Sequence, residues 1–96
     1  MYIMAEFTRV NGKNVGSVVL YALSTCIWCK KARSLLDELE IEYSYVYVDL
    51  LESEENARVK DDVRKWNPQC SFPTLIVDNS KCIVGFKEDE IRELKK

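Results

Sequence analysis

Val18-Val19-Leu20-Tyr21-Ala22-Leu23, followed closely by Cys26-Ile27-Trp28-Cys29, is the stretch of sequence that decides the fold. The apolar run predicts a β-strand, and residues 30–39 have the apolar spacing of one helix face. The Cys-x-x-Cys pair therefore falls at a strand-to-helix junction. A helix N-terminus carries partial positive charge and unpaired N–H groups, which favour the thiolate, the reactive form of cysteine. The pattern predicts a dithiol that exchanges with disulfides.

Length and charge limit the other possibilities. The chain has 96 residues, enough for one small core, so we predict a single domain over residues 1–96. Its net charge of −2 argues against a nucleic-acid partner, and no apolar stretch is long enough to cross a membrane. Because the first nine residues show neither a basic leader nor a sustained apolar segment, we expect a cytoplasmic location.

The four cysteines are better explained by redox chemistry than by a disulfide scaffold, because cytoplasmic thiols are kept reduced. The chain has no histidine, which excludes a Cys–His nucleophilic pair and a mixed Cys/His zinc site. A four-cysteine zinc site is an alternative, but Cys70 and Cys82 lack the close spacing of a zinc ribbon, and we predict no metal ligand. We expect Cys82 to be a buried core residue and Cys70 to be a loop thiol or a regulatory partner of the dithiol.

Hydrophobic periodicity predicts the remaining elements. The predicted strands are 2–10, 15–23, 43–48, 74–77 and 81–84, and the predicted helices are 30–39, 53–66 and 87–94. Asn11-Gly12, between the first two strands, is a strong hairpin signal. We therefore expect residues 1–16 to add an N-terminal strand or hairpin to a core formed by residues 17–96.

The order of elements in the core is β-α-β-α-β-β-α, which is that of a thioredoxin-like α/β fold. This fold has a mixed four-stranded core sheet flanked by three helices. We expect one helix on one face of the sheet and two on the other, because a central strand at 18–20 needs both faces covered. Pro73 directly precedes a predicted strand, where a residue without an N–H is tolerated.

Three motifs together resemble the glutaredoxin branch of the thioredoxin superfamily, from about Ser17 onward. They are the Cys26/Cys29 dithiol, Pro73 before the third core strand, and the Gly85-Phe86 turn before the last helix. The resemblance implies a thiol–disulfide oxidoreductase in which Cys26 is the nucleophile and Cys29 the resolving cysteine. It also implies a cis peptide bond before Pro73 and an extended substrate along the residue before it. The expected substrate-binding residues are Trp28, Phe72, Pro73, Gly85 and Phe86.

Two departures from the family pattern concern the electron donor. Glutaredoxins that use glutathione usually carry a basic residue where this chain has Leu23, and Lys87 stands where the glutathione γ-glutamyl group would be held. Residues 84–91 are similar instead to the glutaredoxin-like redoxins that serve ribonucleotide reductase. We therefore expect disulfide-containing proteins as partners and no permanently bound cofactor. The expected donor is glutathione, another low-molecular-weight thiol or a flavoprotein reductase.

Other interpretations stay open on the sequence alone. Some family members hold a [2Fe–2S] cluster between two subunits, and such a cluster needs four ligands. The fold could also serve as a non-catalytic binding module, although the intact dithiol favours catalysis. Trp28 could be an exposed contact for a partner or could pack beside the helix. Asp49 could accept a proton from Cys29 or cap a helix.

Overall fold

The computed structural model describes residues 7–95. Their regular elements are strands β1 (Thr8–Val10), β2 (Val18–Ala22), β3 (Tyr43–Tyr47), β4 (Thr74–Val77) and β5 (Lys81–Val84), and helices α1 (Ile27–Glu38), α2 (Ser53–Trp66) and α3 (Glu88–Glu93). A short 3-10 turn, Val48–Leu50, joins β3 to α2. None of the helices in this part of the chain has the length and apolar character of a membrane span.

The strands form one mixed sheet in the order β1-β3-β2-β4-β5. The central strand β2 is parallel to β3 and antiparallel to β4. Leu36 of α1 and Ile91 of α3 pack with Leu20 on one face, and Val59 of α2 packs with Val46 on the other. The predicted thioredoxin-like α/β fold, with one helix opposite two, is therefore confirmed.

Burial along β2 is less symmetrical than we expected from its sequence. Val18 and Leu20 are buried on the face covered by α1 and α3, whereas Val19 and Tyr21 are only partly buried on the face of α2. The buried residues of α2 pack at the β3 end of the sheet, around Val46. The prediction of two fully covered faces is therefore correct only for the α1 face.

The predicted hairpin between the first two strands is wrong. β1 pairs with β3 and not with β2, placing Thr8 opposite Tyr45 and Val10 opposite Tyr43 in an antiparallel ladder. The physical reason is that β3 and β4 already occupy both edges of β2. The part of the predicted first strand at residues 2–6 lies outside the described residues.

After β1, the chain is tied to the turn between α1 and β3. The Lys13 N–H donates to the Glu40 carbonyl over 2.7 Å, and the Glu42 N–H donates to the Lys13 carbonyl over 2.9 Å. Gly12 permits this approach, because a Cβ at that position would lie 2.6 Å from the Glu40 carbonyl oxygen. Gly12 of the Asn11-Gly12 pair is therefore required for a close backbone contact, and the pair does not form a hairpin turn.

Arg33 fastens α1 to the sheet one turn beyond the dithiol. Its Nε donates to the Tyr43 hydroxyl at 3.2 Å and its Nη1 to the Tyr47 hydroxyl at 3.1 Å. Its guanidinium carbon also lies 3.9 Å from the ring centroid of Tyr45, in cation–π contact. These contacts fix the helix that carries the two cysteines against β3.

Candidate active site

Cys26 is the N-cap residue of α1, at the end of the loop that leaves β2. Its backbone is extended, and its Sγ accepts a hydrogen bond from the Cys29 N–H at 3.2 Å. The side chain is partly exposed, and the first turn of α1 contains no acidic residue. The sulfur thus occupies the position where a helix N-terminus stabilises negative charge.

Cys29 lies behind Cys26 and is fully buried. Its Sγ is 3.5 Å from the Leu23 N–H, which donates to it. Burial, followed by the hydrogen bond with Cys26, raises the pKa of the Cys29 thiol to about 12. Both thiols are free. The pair therefore consists of an outer sulfur at a helix N-terminus and an inner sulfur that holds its proton strongly.

A carboxylate from the 3-10 turn after β3 holds the loop before the dithiol in place. Asp49 accepts the Ser24 N–H through Oδ1 at 2.8 Å and the Ser24 hydroxyl through Oδ2 at 2.5 Å. The hydrogen bond from the Ser24 hydroxyl is the main reason that the pKa of Asp49 is lowered. The carboxylate also contributes, as a smaller cause, to the raised pKa of Cys29. Asp49 thus holds the loop at Ser24, a role distinct from accepting a proton from Cys29 and from capping a helix.

Asp49→Asn is expected to increase the alkylation rate of Cys29 at alkaline pH by about two- to fivefold. The Asp49 carboxylate is exposed to solvent, so its charge interaction with Cys29 is worth about 1 kcal/mol or less. The amide keeps an oxygen for Ser24 but removes the negative charge that disfavours the Cys29 thiolate. The measurement is iodoacetamide labelling of Cys29 as a function of pH. A rate unchanged from wild type would contradict the electrostatic influence of Asp49. Asp61→Asn, which removes an exposed carboxylate on α2, is the matched control.

The peptide bond between Phe72 and Pro73 is cis, as the resemblance implies. Pro73 is buried, and its carbonyl accepts the Gly85 N–H at 2.8 Å. Phe72 is partly buried and packs against the hydrophobic clusters on both faces of the sheet, one of which also includes Cys26. Gly85 follows β5 with a φ of 81°, a conformation that glycine adopts without strain.

An aromatic platform, formed by Trp28 and Phe86, joins the first turn of α1 to the β5–α3 turn. The two rings stack with centroids 6.0 Å apart and an interplanar angle of 27°. Trp28 is 53% exposed, and the Lys31 Nζ lies 4.7 Å from its ring centroid. Trp28 is therefore both exposed and stacked on Phe86, and its contact with a partner stays a prediction. Through Phe86 and Gly85 the platform connects to Pro73.

The other two cysteines lie on other elements, Cys82 on β5 and Cys70 in the loop between α2 and β4. Cys82 is only partly buried, because β5 is an edge strand, and burial raises the pKa of its thiol. The Cys70 thiol is partly buried and donates weakly to the Lys60 carbonyl at 3.8 Å. Within residues 7–95 no three metal-ligating side chains come together. The described residues thus do not assemble the four-cysteine zinc site.

Ser24 and Asn67 are two residues of this region that the sequence analysis missed. Ser24 anchors the loop before Cys26, and the buried amide of Asn67 bonds across the loop before Pro73. The only sequence signal was position, since Ser24 lies beside the dithiol motif and Asn67 beside a predicted helix end.

The fold and the dithiol define a thioredoxin-fold thiol–disulfide oxidoreductase. The glutaredoxin family model matches residues 18–83, so the chain belongs to the glutaredoxin family. Methanoredoxin of Methanosarcina acetivorans is similar, with 51% identity, a TM-score of 0.84 and coverage of 86% of this chain and 87% of that one. The glutaredoxin of Methanosarcina mazei Go1 has 48% identity, a TM-score of 0.86 and coverage of 95% and 88%. A glutaredoxin-like 8.6 kDa protein in the rubredoxin operon of Clostridium pasteurianum is 29% identical over 77 residues, which are 80% of this chain and 95% of that protein.

Proposed function

We propose that this glutaredoxin reduces protein disulfides with Cys26 as nucleophile and Cys29 as resolving thiol. The observation that carries the proposal is the difference between the two sulfurs. Cys26 is partly exposed at the N-terminus of α1, whereas Cys29 is fully buried with a pKa raised to about 12. A substrate disulfide can reach only the first of them directly.

The reaction proceeds in two exchanges. The Cys26 thiolate attacks one substrate sulfur along the S–S axis, which forms a mixed disulfide and releases the other substrate sulfur as a thiolate. Cys29 then loses its proton and attacks the Cys26 sulfur, releasing the second substrate thiolate, which takes up a proton. The dithiol supplies two electrons and becomes the Cys26–Cys29 disulfide. Because Cys26 is one cause of the raised pKa of Cys29, mixed-disulfide formation itself favours ionisation of the resolving thiol.

We propose that the substrate segment lies along the backbone of Phe72 and Pro73, at the start of β4. We call this short stretch of backbone the Phe72–Pro73 edge. A cis-proline at the start of a strand presents the preceding residue to an extended chain, which can add to it in strand-like fashion. The platform of Trp28 and Phe86 supplies an exposed apolar surface beside the same edge, joined to it through Gly85. These five positions are the proposed substrate-binding residues.

For the electron donor, we propose a flavoprotein reductase or a low-molecular-weight thiol other than glutathione. Leu23 is partly buried against the Val46 cluster and offers no charge to a glutathione carboxylate. Lys87 is exposed directly before α3. Both observations favour a donor other than glutathione. Ribonucleotide reductase is a candidate acceptor, on the similarity of residues 84–91 to its redoxins.

The test is reduction of insulin disulfides with two donor systems run in parallel. We expect turnover with a thioredoxin-reductase-type flavoenzyme to exceed turnover with glutathione and its reductase. Lys87→Glu is expected to raise glutathione turnover by about fivefold, the size of an exposed charge interaction of about 1 kcal/mol. The control is Lys60→Glu, a charge reversal on α2. Absence of insulin reduction by chemically reduced protein would overturn the proposed function.

A further inference from the structure

Asn67, the C-cap residue of α2, carries an amide that is buried inside the loop leading to Pro73. The residue is 4% exposed. Its Nδ2 lies within hydrogen-bond distance of three acceptors, which share its two hydrogens: the Ser71 hydroxyl at 2.9 Å, the Thr74 hydroxyl at 3.1 Å and the Ser71 carbonyl at 3.2 Å. A buried polar group of this kind is costly unless its hydrogen bonds are made, so the loop and the amide depend on each other.

The rest of the loop closes around the same side chain. The Asn67 Oδ1 accepts the Gln69 N–H at 3.3 Å, and its backbone carbonyl accepts the Cys70 N–H at 2.8 Å. Cys70 has a φ of 51°, where the chain reverses direction. The Thr74 hydroxyl in turn donates to the Ser71 carbonyl at 2.7 Å. The Asn67 side-chain amide therefore acts as both a hydrogen-bond donor and an acceptor within residues 67–74 and holds this loop in its conformation.

The two residues that Asn67 holds, Ser71 and Thr74, directly flank the cis dipeptide. Phe72 and Pro73 are therefore fixed at both ends by contacts of a single side chain. In addition, the Gly85 N–H, which follows β5, donates to the Pro73 carbonyl at 2.8 Å. The backbone supplies one anchor of this edge and the Asn67 amide supplies the other.

We propose that Asn67 is a positioning residue that sets the Phe72–Pro73 edge for protein substrates without contacting either substrate or thiols. The inference rests on the proposed function, in which that edge receives an extended chain. Only an amide fits this role. Aspartate has the same shape but carries no hydrogen to donate and would set a negative charge against the Ser71 carbonyl oxygen.

The experiment compares a large and a small substrate in Asn67→Ala and Asn67→Asp. We expect KM for insulin disulfides to rise about tenfold or more. Without the amide, the buried polar groups of Ser71 and Thr74 lose their partner, and the Phe72–Pro73 edge between them is no longer held in place. With bis(2-hydroxyethyl) disulfide, which is too small to pair along the edge, the turnover rate is expected to stay within about twofold of wild type, as is the rate of Cys26 alkylation.

Asn56→Ala is the matched control, because the Asn56 Nδ2 donates to the Val48 carbonyl at 2.8 Å at the other end of α2. It removes one amide hydrogen bond but should leave the KM for insulin unchanged. If the Asn67 variants do not fold, Ser71→Ala removes a single contact of the amide, and we expect it to raise the same KM by about twofold to threefold.

The outcomes separate the two proposals. Wild-type protein that fails to reduce insulin overturns the proposed function. An active wild type whose Asn67 variants, or Ser71→Ala in their place, keep the wild-type KM overturns the positioning role alone. Equal losses with insulin and with the small disulfide also overturn it, because they indicate general damage to the fold.

Discussion

Cys26→Ser is expected to abolish disulfide reduction, with a loss of about 10³-fold or more, as is usual when a catalytic nucleophile is removed. A serine hydroxyl at the α1 N-cap accepts the same Cys29 N–H, so the fold should be retained. It is not ionised near neutral pH and cannot form the mixed disulfide. The measurement is insulin reduction with the better of the two donor systems.

Cys29→Ser is expected to leave the first exchange intact and to stop the second. The protein should then accumulate as a mixed disulfide with its substrate, detected by intact mass under non-reducing conditions. Cys82→Ser, which changes a thiol on the edge strand β5, is the control and should behave like wild type. Full activity in both dithiol variants would refute the assignment of roles.

At pH 7, iodoacetamide is expected to label Cys26 rapidly and Cys29 at least about 10³-fold more slowly than an ordinary thiol. A thiol with a pKa of about 12 is ionised in only about one molecule in 10⁵ at this pH, against about 3% for a free cysteine. The measurement is a time course of peptide mapping by mass spectrometry. Labelling in denaturant, where all four cysteines react alike, is the control.

The pH dependence of this labelling has a definite sign. Because the pKa of Cys29 is raised, its thiolate appears only as the pH increases, and labelling should rise about tenfold per pH unit below about pH 12. The unfolded chain ionises Cys29 near pH 8.5, so folding stability should fall as the pH rises from there towards the native pKa of about 12. Equal labelling of Cys26 and Cys29 at pH 7 would contradict this assignment.

Much of the fold was predictable because local periodicity and burial agree. The predicted strands at 74–77 and 81–84 and the helix at 53–66 have the bounds seen in β4, β5 and α2. The neighbour of β1 was not predictable from Asn11-Gly12, since a turn signal describes a local bend and not the competition for a sheet edge. That competition was decided by the distant strands β3 and β4, which fill both edges of β2.

The candidate active site also has a part that could be predicted from the sequence and a part that could not. Cys26 and Cys29 form a Cys-x-x-Cys motif whose chemistry can be predicted from sequence, whereas the cis bond before Pro73 followed only from the resemblance to glutaredoxins. The clamp between Ser24 and Asp49 joins residues 25 positions apart, and neither residue carries a motif. The role of Asn67 depends on the burial of its amide, which a polar residue at a helix end does not reveal.

The short strand β1 also bears on how the molecule behaves at high concentration. Without β1, the five-residue strand β3 would present a row of unpaired N–H and C=O groups, a template on which another chain can add. β1 replaces that edge with one of three residues, whose Arg9 is paired with Glu42 of the neighbouring segment. Short, charged edges resist intermolecular sheet growth. The strand β1 thus leaves fewer unpaired backbone groups open to another chain than β3 would leave on its own.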